Sequence, residues 1–227
     1  MTYCFISALT DETKRLVATA TLVETEELGF AKLHKLSLNG KIFYVCISGV
    51  GKVLAGSAAA ACCVKHPEID AYINVGIGGS MDGQRAPVLS VVLGTDFVQH
   101  DMDTTAFGDP PGYLWGIDLI KIPADAGLNE KLAKVCEENG VPYCYGSIAT
   151  GDHFIAEEKD KKIIKERFGS ISIDMESAAY AESCYVYHKP YTCIRVISDA
   201  ANHANDYIKY KPAACDRCSE LMLKLLA

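Results

Sequence analysis

No run of apolar residues in the 227-residue chain approaches the roughly 18 needed to cross a membrane, so no spanning segment is expected. Basic charge is also short. Lys and Arg total 22 against 29 Asp and Glu, a formal net charge of −7, which argues against a nucleic-acid partner. Met1 to Leu9 shows neither a basic stretch nor a small-residue cleavage site, so no secretory signal is expected and the location read from the sequence is cytoplasmic. Nucleotide-cofactor motifs are missing too: Gly76-Ile77-Gly78-Gly79 fits neither the dinucleotide fingerprint nor a P-loop. Cysteine is the exception to this scarcity, with ten residues. Only Cys215 and Cys218 stand in a C-x-x-C spacing, without a second pair or a spaced pair of histidines, so structural zinc is not expected. The cysteines read as small hydrophobes of a reducing compartment. No metal and no cofactor are expected.

What is present is a rhythm of short apolar runs and longer helical patterns. Strands are expected over Tyr3–Leu9, Lys41–Gly49, Ala71–Ile77, Ser90–Val98, Tyr143–Ala149, Ile171–Ile173 and Tyr191–Ile197, nearly continuous in Val, Ile and Tyr as in strands covered on both faces. Helices are expected over Lys52–Lys65, Asn129–Asn139, Ala156–Phe168, Glu176–Tyr187 and Pro212–Leu226. Alternation of this kind predicts an α/β fold, three layers α/β/α around a mixed, mostly parallel twisted sheet. No linker or repeat interrupts it, so residues 1–227 read as a single domain. The one long irregular stretch runs from residue 100 to 126 and holds the only tryptophan, Trp115.

Ligands of open α/β sheets collect at the carboxyl ends of strands. Three such ends carry acids here: Glu12, Glu176 and Asp199. Several carboxylates, an aromatic (Phe154) and few basic groups suit a neutral, hydroxyl-rich small molecule such as a nucleoside. Taken singly, each acid could equally cap a helix or lie in a solvated first turn.

Ser147-Ile-Ala-Thr-Gly-Asp-His-Phe-Ile155, Ile173-Asp-Met-Glu-Ser-Ala-Ala179 and Arg195-Val-Ile-Ser-Asp199 resemble the purine nucleoside phosphorylase/nucleosidase superfamily, and within it the 5′-methylthioadenosine/S-adenosylhomocysteine nucleosidases. Ala8 to Glu12, Ser48-Gly-Val-Gly-Lys52, Asn74-Val-Gly76 and Thr105-Ala-Phe-Gly108 fall in the same order, so the resemblance spans nearly the whole chain. It implies that Asp199 is the general acid at N7 of a leaving adenine, with Ser198 beside it at the substrate. Glu12 would orient and deprotonate the attacking water, and Glu176 would accept from a ribose hydroxyl with Met175 against the sugar. Phe154 would stack on the purine, and the backbone of Ile155 would read its edge. Arg195 is expected behind Glu12 and the water, either as its partner or as an ion pair holding the acidic pocket together. Gly76 and Ile77 would line the site.

The fold performs both hydrolysis and phosphorolysis, and phosphorolysis needs a dianion site, normally built from arginines. The resemblance places an arginine of hexameric phosphorylases at Asn74, and Ser48–Lys52 offers only Lys52. Hydrolysis is therefore expected; a phosphorylase, or a nucleoside-binding protein of weak turnover, is the alternative. Ile77 departs from the family, which usually has serine there. Tyr207 and Tyr210 are both near the register of an aromatic of the 5′ pocket. The resemblance further implies a homodimer in which Phe107 of one copy completes the 5′ pocket of the other.

Overall fold

The computed structural model describes residues 1–200 and 204–227. Among them are ten strands: β1 (Tyr3–Ser7), β2 (Thr21–Leu28), β3 (Ala31–Leu38), β4 (Lys41–Ile47), β5 (Ala71–Ser80), β6 (Val91–Gln99), β7 (Ile122–Pro123), β8 (Tyr143–Thr150), β9 (Ser172–Asp174) and β10 (Tyr191–Asp199). The helices are α1 (Thr10–Thr19), α2 (Lys52–Lys65), α3 (Ala126–Glu138), α4 (Glu158–Phe168), α5 (Ser177–Val186) and α6 (Ala204–Leu226), with a 3-10 turn at Thr105–Phe107. No helix among the described residues is long and apolar enough to cross a membrane.

Parallel pairing runs β4–β1–β5–β10 and, separately, β6–β8–β9. Antiparallel pairings of β6 with β10 and of β9 with β5 join the two groups. Period-two alternation divides the core. Cys4 and Ile6 of β1 face a cluster containing Ala55, Ala59, Cys62, Ala178 and Cys184 of α2 and α5. Phe5 between them faces Leu16, Leu132, Cys215, Cys218 and Leu221 of α1, α3 and α6. Helices on both faces of a mixed sheet are the three expected layers. All ten cysteines are free thiols, and nine are buried; Cys215 and Cys218 share the core-facing side of α6, as expected of small hydrophobes.

Helix α1 and the short strand β7 stand outside the expected elements, and three further features differ from expectation. The hairpin of β2 and β3 extends the sheet antiparallel beyond β4. Its outer strand carries Glu24, Glu26 and Glu27 and is almost wholly exposed, so no apolar pattern marks it. That charge also protects the edge against further pairing. Strand β5 runs on through Gly78, Gly79 and Ser80, past the expected end at Ile77, because it still has partners there: β10 on one side and β9 on the other. Helix α6 starts at Ala204, eight residues before Pro212, although a proline normally opens a helix rather than sitting inside it.

Proline inside a helix removes one ladder hydrogen bond and crowds the carbonyl four residues earlier. Pro212 is exposed, so no packing offsets this. Replacement P212A is therefore expected to raise the unfolding free energy by about 1–3 kcal/mol, read by urea denaturation. A destabilised variant would contradict the helix assignment around residue 212.

Candidate active site

A cavity of about 650 Å³, including its open mouth, lies at the carboxyl ends of β1, β5, β9 and β10. Glu12, Glu176 and Asp199 all line it, together with Ile77, Phe154, Ile155, Met175 and Ser198. Eight of the eleven expected site residues therefore meet in one place. Gly76 and Arg195 lie behind its wall, and Phe107 is 83% exposed on the 3-10 turn, away from this cavity.

Each acid is positioned by a different local device. Glu12 is the third residue of α1, where a side chain can turn back to the amides before the helix. Its Oε2 accepts from Leu9 N at 2.9 Å and its Oε1 from Ile77 N at 3.1 Å. Ile77 thus holds Glu12 through its backbone amide, while its side chain packs into the core. Burial pushes the Glu12 carboxyl above its ordinary range, opposed by the Arg195 charge and the amides of Leu9 and Ile77. Asp199 ends β10 opposite Gly79, just past a register shift between Ile197 and Asp199. Irregularities of this kind redirect side chains at strand ends. Ser198 Oγ donates to Asp199 Oδ2 at 2.7 Å.

Glu176 occupies the residue before α5. It is buried, and its Oε1 accepts from Gly51 N at 2.9 Å. Burial raises its pKa to about 7, helped by the Asp174 charge beside it and opposed by Gly51 N and Arg195.

Arg195 is 2% exposed and fully engaged. Its Nε donates to Asp174 Oδ2 at 2.8 Å, its Nη2 to Asn74 Oδ1 at 2.6 Å, and its Nη1 to the Ile194 carbonyl at 3.3 Å. Asn74 also donates to the Ile6 carbonyl at 2.8 Å, so it braces the sheet from within. A Cβ on Gly76 would come within 2.7 Å of Glu12 Oε1 and 2.8 Å of Arg195 Nη1. Glycine is required there because carboxylate and guanidinium close over the backbone. Of the two readings of Arg195, the ion pair is with Asp174, not with Glu12.

Two amides at the end of the glycine-rich turn before α2 are occupied by side chains. Gly51 N is bound by Glu176, and Lys52 N by Asp152 Oδ1 at 2.8 Å. The Lys52 ammonium meets Asp101 at 2.6 Å and Gln99 Oε1 at 3.1 Å. Both closures come from residues far along the chain, so the sequence gives no sign of them. Of the two candidate aromatics, Tyr207 lines the cavity, with its ring edge-on to Phe154 at 5.8 Å, and Tyr210 does not. Asp174, inside the Met-Glu motif, also lines the cavity, and the motif alone assigns it no role. Among the described residues, no group of three or more His, Cys, Asp or Glu side chains could hold a metal ion.

The sequence profile of the phosphorylase superfamily matches residues 2–227. The chain belongs to the phosphorylase superfamily. A relative from Actinobacillus succinogenes, a 5′-methylthioadenosine/S-adenosylhomocysteine nucleosidase, is 30% identical over 98% of this chain and 96% of its own. That places this phosphorylase-superfamily chain with the nucleosidases. A nucleosidase of the same name from Colwellia psychrerythraea, solved with adenine, superposes with a TM-score of 0.92 at 28% identity, covering 100% of this chain and 94% of the other. The Neisseria meningitidis nucleosidase, solved with methylthio-immucillin-A, gives a TM-score of 0.92 at 27% identity, covering 99% and 98%.

Glu176 binds its proton more tightly folded than unfolded, so stability falls as pH rises from its ordinary value of 4.5 towards 7, and the loss is complete above that. Replacement E176Q removes the penalty. The variant is expected to be more stable than the parent by about 2–3 kcal/mol at pH 8, with the gap under about 1 kcal/mol at pH 5, by urea denaturation at both pH values. An equal gap at the two would contradict the assignment.

Proposed function

We propose that the chain hydrolyses the N-glycosidic bond of 5′-thio-substituted adenosines, methylthioadenosine and S-adenosylhomocysteine, releasing adenine and a thio-ribose. The observation carrying this reading is the closed state of the turn before α2. A glycine-rich turn at a helix start with a free cation could hold the dianion that phosphorolysis needs. Here Glu176 and Asp152 accept from two of its amides and Asp101 pairs with Lys52, so these donors are already taken and Asp101 and Asp152 bring negative charge to the position. A second anion would meet repulsion, whereas neutral water would not.

In this reading the purine stacks on Phe154, opposite the edge of Tyr207. Asp199, held by Ser198, gives a proton to N7, so the electrons of the breaking C1′–N9 bond settle on a neutral base rather than an anion. Glu176 accepts from a ribose hydroxyl, with Met175 against the sugar. Positive charge developing at the ribose faces the carboxylates of Glu12 and Glu176. Glu12 takes a proton from the water whose oxygen bonds to C1′. Its own oxygens are already aimed by Leu9 N and Ile77 N, which fixes the base without a serine at residue 77.

The reading is tested by adenine release from methylthioadenosine in phosphate-free buffer. The rate is expected to be unchanged by added phosphate, and replacements D199N and E12Q are each expected to lower kcat by about 100-fold or more. A strict phosphate requirement would make the chain a phosphorylase. Tight binding without release would make it a nucleoside-binding protein.

We also propose that two copies pair and that Phe107 of each reaches the 5′ end of the other's cavity. Phe107 is 83% exposed and Trp115, on the same irregular stretch, 63% exposed, so both large apolar side chains lack cover within one copy. Light scattering is expected to give the mass of a dimer. Replacement F107A is expected to raise KM for methylthioadenosine by about tenfold with the dimer intact; a monomeric parent would refute the pairing.

A further inference from the structure

The mechanism above uses Glu12 and Glu176 but assigns nothing to the group between them. Asp174 ends β9, and its side chain is 2% exposed. Its two oxygens serve opposite sides. Oδ2 takes the Arg195 Nε at 2.8 Å. Oδ1 takes the Thr150 hydroxyl at 2.6 Å and the backbone amides of Glu176 at 3.2 Å and Ser177 at 3.1 Å. The Thr150 hydroxyl in turn accepts from Ala178 N at 3.0 Å, so the start of α5 hangs on these two side chains. Asp174 therefore touches the backbone that carries Glu176 and the guanidinium that faces Glu12.

We propose that Asp174 is a positioning residue for the glycosidic reaction, coupling the ribose carboxylate Glu176 to the Arg195 charge behind the water base Glu12. The inference rests on the proposed function for its kinetic consequence, but not for its electrostatic one. Two features make Asp174 more than a helix cap. A neutral cap such as serine or asparagine would satisfy the amides of Glu176 and Ser177 equally well. Only an anion also compensates a guanidinium with no access to water; an unpaired buried charge is strongly unfavourable. The same anion lies close enough to Glu176 to help keep its proton.

Removing that charge has a definite sign. The charged groups facing Glu176 are Asp174 from β9, Arg195 from β10 and Glu12 from α1; the neutral titratable groups nearby are Tyr180 of α5 and Cys193 of β10. In the variant D174N the negative neighbour is gone and Arg195 loses its counter-ion. Both changes favour ionised Glu176, so its midpoint must fall. A purely architectural role for Asp174 moves no midpoint.

The test follows the Glu176 carboxyl of the full, ligand-free chain by carbon NMR, assigned with E176Q, alongside the pH profile of kcat/KM for adenine release. In D174N the Glu176 midpoint is expected to fall by about 1 pH unit, and the acid limb of kcat/KM to move down with it. At the plateau, kcat/KM is expected to drop about 10- to 100-fold. Variant D174E keeps the charge and displaces the acceptor for the two amides; it is expected to leave the midpoint near that of the parent while lowering kcat/KM. An unchanged midpoint in D174N, or full kcat/KM in D174E, overturns the inference. A parent chain that releases no adenine overturns the proposed function alone, since the NMR midpoint still reports the coupling.

Discussion

A guanidinium shut away from water, held against an equally buried carboxylate, is the constraint around which the site is arranged. Arg195 and Asp174 sit on β10 and β9, strands that both flank β5. Leaving either unpaired inside the protein would cost several kcal/mol. The pair therefore fixes how these strands stand relative to one another at their carboxyl ends. Gly76 and Gly78 of β5 answer the same demand. A side chain at Gly76 would strike the Arg195 guanidinium, and one at Gly78 would come within 3.2 Å of its Cδ. Only a strand that is bare on this face lets the arginine lie across it.

Charge then accumulates around that pair in a way that serves chemistry at the expense of stability. Glu12 and Glu176 are both buried, and burial raises the pKa of each. Arg195 offsets part of the cost for both. Backbone amides offset a further part: Leu9 and Ile77 for Glu12, Gly51 for Glu176. Amide donors are rigid, so the carboxylates they hold are aimed before any ligand arrives. At residue 77 it is the backbone amide that aims Glu12.

How far the sequence alone reaches can be judged element by element. Helix α2 was read with its observed bounds, since an Ala-rich run between a glycine turn and a lysine end has no competing interpretation. The strands of the parallel core were found because burial on both faces leaves an unbroken apolar run. The β2–β3 hairpin was missed because its glutamates hide the strand pattern, and α6 was started too late because the rule for proline at a helix start outweighed the rest of the helix. In the site, the three acids and Phe154 could be named from motifs. The ion pair of Lys52 with Asp101 and that of Arg195 with Asp174 could not, because pairing across 49 and 21 residues leaves no periodic trace.

The choice between water and phosphate follows from those unseen pairings rather than from the fold. The glycine-rich turn and helix start that would favour an anion remain in place here: positive φ at Gly49 and Gly51 and a lysine at the first helical position. An anion is also bound there, but it belongs to the protein. Glu176 takes one amide and Asp152 the next, while Asp101 takes the ammonium. The carboxylate on the Gly51 amide is the one proposed to hold the ribose. Ribose recognition and exclusion of phosphate are then two consequences of one hydrogen bond. Under that proposal, freeing Gly51 N for an external anion would move Glu176 off the sugar, and the two functions would compete for a single side chain.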